Sequence, residues 1–419
     1  VANSMNKVIH LSSVYSKDDV SHNPKDVSLC VQCGKCKALC PTYIESSSEV
    51  LGSRGRAAIL KKFNQGDVAF SKRLYESLSS CILCEACSKS CPLQINIADA
   101  VYRSRKMLRG FDKKTILLNY ILKFALKNPS RTFKIFKLLK IISDIPKVEM
   151  LYPFRYFNKL GVTMPDLPFK DKTTVFRASS PKGRIAVFTG CVINCLYPSY
   201  GKSLINLLNS LRYDVILPHG EFCCGAPLLE LGLEEDAMKL AEMNLYAFKN
   251  LNVEYTISLC PTCIHFIKNI YKRYLGNSID NAIDISQFLI EKSSGFPELA
   301  KKIKATLNPY IANTIYHDPC HSKYSLGIFS EPRYILGKIG FNLTNPSEVG
   351  CCGLGGAFGF LFEGLSDGIL QNRLESFKEA DMIITSCPNC VLQLKSKIKD
   401  RQVTHIIDVI AGFVGKNNT

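Results

Sequence analysis

The chain has 419 residues, 46% of them hydrophobic and 21% charged; these proportions exclude disorder as the default state and suffice for two or three cores. The net charge of +17 is uneven: residues 103–147 hold 13 Lys and Arg against Asp112 and Asp144, and the rest of the chain carries only +6. That localisation excludes a nucleic-acid-binding surface spread over the molecule and assigns the charge to one basic segment with its own task.

Residues 1–28 are polar and weakly patterned and read as an N-terminal arm. Two copies of C-x-x-C-x-x-C-x-x-x-C-P follow, "CVQCGKCKALCP" from Cys30 and "CILCEACSKSCP" from Cys81. In such a motif the first three thiols wrap one cluster, while the fourth, ahead of proline, reaches the other. One [4Fe-4S] cluster would therefore take Cys30, Cys33, Cys36 and Cys91, and a second Cys81, Cys84, Cys87 and Cys40. Zinc would be satisfied by C-x-x-C pairs and has no need of the third cysteine or the proline. Between the motifs, Ile59, Leu60, Phe63, Phe70, Leu74 and Leu78 are spaced as two helices, so residues 29–110 read as a small helical two-cluster domain.

The basic segment, within a helical linker at 111–180, reads as two helices broken at Asn128-Pro129, since proline disfavours helix at the residue before it. Its apolar run Ile116–Leu122 ends at Lys123, far short of the ~20 residues that span a bilayer. Lys127, Arg131, Lys134, Lys137 and Lys140 interleave with Phe133, Phe136 and Leu138, a pattern suited to lying on an anionic membrane surface or to packing on the protein's own domains.

Beyond residue 180 the grammar becomes α/β: "RIAVFTGC" and "YDVILP" read as buried strands and "PSYGKSLINLLNSL" as a helix. The pattern then repeats, with Cys191 and Cys320 separated by 129 residues, Cys224 and Cys352 by 128, and Cys263 and Cys390 by 127. This marks a duplicated domain, at 181–300 and 301–419. Each copy carries five thiols: Cys191, Cys223, Cys224, Cys260 and Cys263 in the first, and Cys320, Cys351, Cys352, Cys387 and Cys390 in the second. An ordinary cubane uses four, so the fifth implies a bridging thiolate, a cluster of another shape, or a redox thiol beside the metal. The glycine after each Cys-Cys pair is expected to let the backbone pass close to the sulfurs. Of the 19 cysteines, only Cys195 is left over, and it reads as a small buried or semi-exposed residue or as an alternative ligand near the cluster of the first repeat. With no apolar N-terminal stretch to read as a signal peptide, thiols clustered in this way point to metal ligation in a reducing compartment.

His317 and His321 flank Cys320, and His219 and His265 lie near other cluster cysteines, as hydrogen-bond donors to sulfur or as structural residues. Arg54 and Arg56 offer charge to an acidic partner or to reduced clusters, or a helix-packing role. "GCCGLGGAFGF" fails G-x-G-x-x-G, because Phe358 stands at the last position, and no dinucleotide or flavin site is expected on this chain.

In motif order and spacing, residues 29 to about 412 resemble the iron-sulfur subunits that join a two-cluster ferredoxin domain to two cysteine-rich CCG domains. These are the subunits of glycolate oxidase, of lactate oxidation complexes and of anaerobic glycerol-3-phosphate dehydrogenase, and the fused heterodisulfide reductase subunit. "GSRGR" at Gly52–Arg56 and "YHDPCH" at Tyr316–His321 look most like the glycolate oxidase type. The resemblance implies an α+β multidomain fold, with a helical ferredoxin domain followed by two α/β CCG domains. It also implies an electron-transfer role beside an FAD-linked dehydrogenase or oxidase that oxidises a 2-hydroxy acid such as glycolate or lactate, with electrons passing to a quinone or other carrier. The expected location is cytoplasmic, peripheral on the inner face of the membrane or beside a membrane redox subunit, with no nucleic-acid partner. In the heterodisulfide reductase branch five cysteines hold a non-cubane [4Fe-4S] cluster, and here both repeats keep all five. Many glycolate oxidase relatives have a degraded first repeat, and that departure keeps disulfide reduction, and a glycerol-3-phosphate dehydrogenase subunit, as alternatives.

Overall fold

In a computed structural model, the structure describes residues 27–108, 113–148, 154–170, 174–306, 313–344, 346 and 350–412. The arm read at 1–28 lies, except for its last two residues, outside the described residues.

Pro41 opens the helix Pro41–Ser46 at a first-turn position where its missing N–H is no loss. The two helices expected between the motifs are Ser53–Asn64 and Lys72–Ser79. Ser71 caps the second by accepting from the Leu74 N–H at 3.2 Å. Their apolar stripes, among them Ala57, Leu60, Leu74 and Leu78, are buried against helix Ile97–Met107, which turns Val101, Tyr102 and Arg105 inward.

The basic segment folds as helices Lys113–Ala125 and Pro129–Ser143, divided where the sequence reading placed the break. Asn128 caps the second, its Oδ1 accepting from the Arg131 N–H at 3.0 Å. One side of these helices packs on the protein itself. Leu118, Leu122 and Leu126 belong to the core beneath, and Lys123 pairs with buried Asp236 at 2.8 Å. The other side leaves Ile116, Tyr120, Phe124, Leu138 and Ile141 exposed. Among the described residues, no helix is long and apolar enough to cross a membrane.

Among the described residues, nine strands form two sheets. The first contains β1 (Thr174–Phe176), β2 (Gly183–Val187), β3 (Tyr213–Leu217), β4 (Tyr255–Ser258) and β5 (Ala282–Asp284) in the order β1-β3-β2-β4-β5. The second contains β6 (Thr314–His317), β7 (Leu343–Thr344), β8 (Met382–Thr385) and β9 (Gln402–His405) in the order β7-β6-β8-β9. Apart from the antiparallel edge strand β1, all pairs are parallel, and the order β3-β2-β4-β5 reappears as β7-β6-β8-β9. The cysteine spacings thus mark a true structural duplication. Strands buried on both faces read as continuous apolar runs, as in "IAVF" from Ile185 and "MII" from Met382.

The two sheets share one core. Ile185, Val215 and Ile257 of the first pack in the same cluster as Tyr316, Ile384 and Ile406 of the second. Tyr200 lies 5.2 Å from the His405 ring, whose Nε2 reaches the Leu259 carbonyl at 3.0 Å. The ferredoxin-type module joins a second core with the first repeat, where Leu78, Val101 and Tyr102 meet Leu229 and Phe266. It also touches the second repeat, where Ile82, Cys84 and Ala86 meet Cys351, Phe358 and Ile369.

Candidate metal centres

The two ferredoxin-type motifs adopt matching loops. Gln32 and Leu83, at equivalent places before the second cysteine, both have φ near +57° (56° and 57°). One step beyond it, Gly34 (φ 83°) in the first motif is matched by Glu85 (φ 59°) in the second. A side chain in this left-handed region needs a compensating anchor. The buried Glu85 carboxylate finds one in His265, whose Nε2 lies 3.2 Å away. Burial by itself would raise the Glu85 carboxyl, but the facing imidazole outweighs it and holds the group at about 2. His265 stacks on His321 with ring centres 5.2 Å apart, and His321 reaches the Leu83 carbonyl at 3.0 Å and the Thr262 hydroxyl at 2.9 Å. Burial lowers the His321 pKa to about 4. These two histidines clamp the second motif against both repeats, while His219 is exposed.

Cys40 lines one small cavity together with Cys81, Cys84 and Cys87, so the fourth thiol of the first motif sits beside the second motif. Cys36 neighbours Cys30 and also Cys40. Cys91 is half-buried on the same core, and Cys33 is exposed. Arg56 is buried and donates to the Ser77 carbonyl (2.7 Å), the Thr42 hydroxyl (3.0 Å) and the Ser80 hydroxyl (3.0 Å), with Nη1 4.0 Å from Cys40 Sγ. It braces the loops and puts a cation beside a thiol, whereas Arg54 pairs with Glu49 at 2.7 Å.

In the repeats, every cysteine motif follows the carboxyl end of a parallel strand: Cys191 after β2, Cys223 and Cys224 after β3, Cys260 after β4, and their counterparts after β6, β7 and β8. Open parallel sheets present ligand sites at this edge. Cys191 and Cys223 are 3.7 Å apart, and Cys352 and Cys390 are 3.3 Å apart. Cys224 lies within hydrogen-bonding reach of Cys263, and Cys320 of Cys351. Gly190, at φ 63°, is required by close approach, since a Cβ there would stand 2.9 Å from Cys263 Sγ.

The glycines after the Cys-Cys pairs do bring backbone close to sulfur: the Gly353 N–H donates to Cys351 Sγ at 3.4 Å, and the Gly225 N–H bonds to the Cys223 thiol. They have a second task as well. Gly225 (φ 90°) and Gly353 (φ 86°) have left-handed backbones, and a Cβ at either would meet a following helix, at Ala237 O (3.0 Å) and Ser366 O (2.6 Å).

The two five-thiol sets meet. Cys260 is within hydrogen-bonding reach of both Cys263 and Cys387, and nine of the ten repeat cysteines, all except Cys223, line a single cavity of about 300 Å³. Its lining is largely apolar and draws on the helical linker, including Leu122, Phe136 and Phe157, and among the described residues Glu230 is its one carboxylate. Burial pushes the Glu230 carboxyl up to about 7. The second set also faces the ferredoxin-type module: Cys84, Cys320 and Cys351 line a smaller cavity of about 60 Å³. Cys195 is buried beside Cys191, which after burial itself is the next influence raising its thiol.

This donor set fits iron-sulfur clusters. Burial raises the thiols of Cys84 and Cys87 well above the ordinary range, and the hydrogen bond with Cys351, followed by burial, does the same for Cys320. Packed side by side in apolar surroundings, they become stable thiolates when a metal supplies the missing positive charge. No local sequence signal announced Arg105, Glu230 or Arg373, because their partners are far away in the chain.

Residues 26–95 match the 4Fe-4S dicluster domain family, and residues 185–268 and 314–395 each match the Cysteine-rich domain family, CCG. Together these matches cover more than half of the chain. Among relatives, a probable glycolate oxidase iron-sulfur subunit of Bacillus subtilis is 25% identical over 92% of this chain and 94% of its own length. A fumarate reductase (CoM/CoB) subunit of Methanothermobacter marburgensis is 26% identical over 94% of this chain and 74% of its own. Lactate utilization protein A 2 of Bacillus cereus is 25% identical over 56% of this chain and all of its own length. With thiol motifs, duplicated sheets and both domain matches in agreement, the chain belongs to the iron-sulfur proteins that join a 4Fe-4S dicluster domain to two cysteine-rich CCG domains.

Proposed function

We propose that this chain is the electron-relay subunit of a flavin-dependent complex that oxidises a 2-hydroxy acid such as glycolate or lactate. In this reading Cys30, Cys33, Cys36 and Cys91 hold one [4Fe-4S] cluster, and Cys81, Cys84, Cys87 and Cys40 a second. Each five-cysteine set holds one further cluster. The clusters supply one-electron carriers, and the protein's part is to space and insulate them. The flavin and the substrate belong to an FAD-linked partner, and electrons leave toward a quinone or another carrier. We place the complex in the cytoplasm, at the inner face of the membrane, on the basic segment's exposed apolar and cationic side.

The observation that carries this reading is the succession of neighbouring thiols. It runs from Cys36 through Cys40 and Cys87 to Cys84, across to Cys320 and Cys351, and through Cys352 and Cys387 to Cys260 of the first repeat. Anaerobically reconstituted protein is expected to carry about sixteen iron atoms, four per cluster, and to be reduced by its flavoprotein partner with 2-hydroxy acid present. Iron for only two clusters, or turnover of glycolate or lactate by this chain without a partner, overturns it.

A second reading, reduction of a disulfide at the repeat clusters, is favoured by one observation: nine repeat thiols open onto one shared cavity. A new paramagnetic signal on adding a thiol to oxidised protein, lost in Cys351→Ser, would establish this second reading in place of the relay.

A further inference from the structure

We propose that His317 donates a hydrogen bond to the cysteine sulfurs of the second repeat, and that this donation sets the cluster there at a higher reduction potential than the one in the first repeat. The inference rests on the reading that each five-cysteine set holds an iron-sulfur cluster.

His317 ends β6 and is fully buried. Its Nδ1 faces Arg373 Nε at 3.2 Å. A guanidinium offers only donors, so Nδ1 must be the acceptor nitrogen and the proton of the neutral ring resides on Nε2. Arg373 is itself held, donating to the Ser376 hydroxyl at 3.1 Å and lying 4.4 Å over the Phe377 ring, so the tautomer and the ring plane are both set. Among the described residues Nε2 has no hydrogen-bond partner, so its proton is still to be placed. A ring nitrogen of His317 lies within 4.8 Å of both Cys352 Sγ and Cys390 Sγ. A buried N–H left unmade is costly, and the Cys352 and Cys390 sulfurs beside the ring are the acceptors we assign to it once they hold a cluster.

The first repeat lacks this device. Counting back by the 129 residues that separate Cys320 from Cys191 places Phe188 opposite His317, and Phe188 is likewise fully buried. A phenyl ring offers sulfur no N–H. Hydrogen bonds to cluster sulfurs stabilise the more negative, reduced state and raise its potential, and the Arg373 cation behind the ring acts in the same direction. The step is a one-electron transfer in which no bond is made or broken and His317 keeps its proton. The electron comes from the ferredoxin-type module, whose Cys84 abuts this set. The second repeat is thereby the preferred first stop for an electron leaving that module.

The experiment is an anaerobic redox titration by paramagnetic resonance of reconstituted parent, His317→Phe and His317→Gln, with iron content measured on each. Full iron in His317→Phe, with one repeat signal shifted to lower potential, is the expected result. So is return toward the parent in His317→Gln, whose amide N–H takes the place of Nε2–H. The expected size is about a tenfold change in the reduced-to-oxidised ratio, about 59 mV for one electron. Full iron with unchanged potentials overturns the inference, and so does loss of the cluster in both variants, which would make His317 a ligand. In case His317→Phe does not fold, the parent labelled with 15N-histidine provides the second measurement. A weak nitrogen coupling, absent in His317→Gln, supports the hydrogen bond, while a strong ligand-type coupling or none overturns it. Parent protein lacking the repeat clusters would instead be the failure of the relay reading.

Discussion

Arg105→Met tests the joint between the ferredoxin-type module and the first repeat. The guanidinium is buried and donates to the carbonyls of Leu78 (3.2 Å), Ser79 (2.9 Å), Cys81 and, across the joint, Glu230 (2.8 Å). Methionine nearly matches its length and apolar stem but supplies no donor. Each buried acceptor left unpaired costs about 1–3 kcal/mol, while removing a desolvated cation returns part of that. The net loss is about 3–5 kcal/mol, the range for breaking a buried charged network. At about 2–4 °C per kcal/mol for a domain of this size, the unfolding midpoint should fall by roughly 10 °C. Calorimetry of anaerobic, reconstituted protein reads this directly. Limited proteolysis should release the N-terminal module earlier in the variant, because the Glu230 contact crosses the joint. A midpoint within about 2 °C of the parent, with unchanged proteolysis, would refute the reasoning and show that the shared apolar core holds the joint alone.

Cys195→Ser should retain full iron, whereas Cys224→Ser and Cys352→Ser should each lose one cluster while the ferredoxin-type pair persists, as measured by iron analysis and paramagnetic resonance. Glu230→Gln should change how stability depends on pH. With its folded pKa raised to about 7, Glu230 holds a proton that the unfolded chain has already released, so its contribution is complete below about pH 4.5 and is lost as pH rises through 7. Parent and variant should therefore respond alike in acid, and by pH 8 the variant should gain on the order of 3 kcal/mol relative to the parent, read as the difference in unfolding midpoints across pH. Tyr120 and Phe124 are exposed on the basic segment. Changing both to serine should weaken co-sedimentation with vesicles rich in anionic lipid, and salt should weaken the parent's binding too. Equal sedimentation of the two would remove the membrane-facing role of this segment.

The metal chemistry and the domain plan were legible in the sequence because both are written locally. Twelve residues contain a whole ferredoxin motif, and apolar runs punctuated by Cys-Cys-Gly and Cys-Pro-x-Cys mark strand ends at a spacing that repeats. The break at Asn128-Pro129 was equally readable, since proline geometry acts on its immediate neighbour. Beyond the local frame the sequence was silent: the glycines after the paired cysteines bring backbone to sulfur as read, but they also serve contacts with helices further along the chain, at Ala237 and Ser366. Tertiary structure alone decided that the second repeat, not the first, sets Cys320 and Cys351 beside Cys84, and that Cys260 meets Cys387. It likewise decided that Glu85 is clamped by His265, and that His317 turns toward sulfur where the first repeat has Phe188. Each of these depends on how three separately encoded units bury their apolar faces against one another. Burial energy is non-directional, so the pattern within one unit carries no record of which partner will lie across the joint.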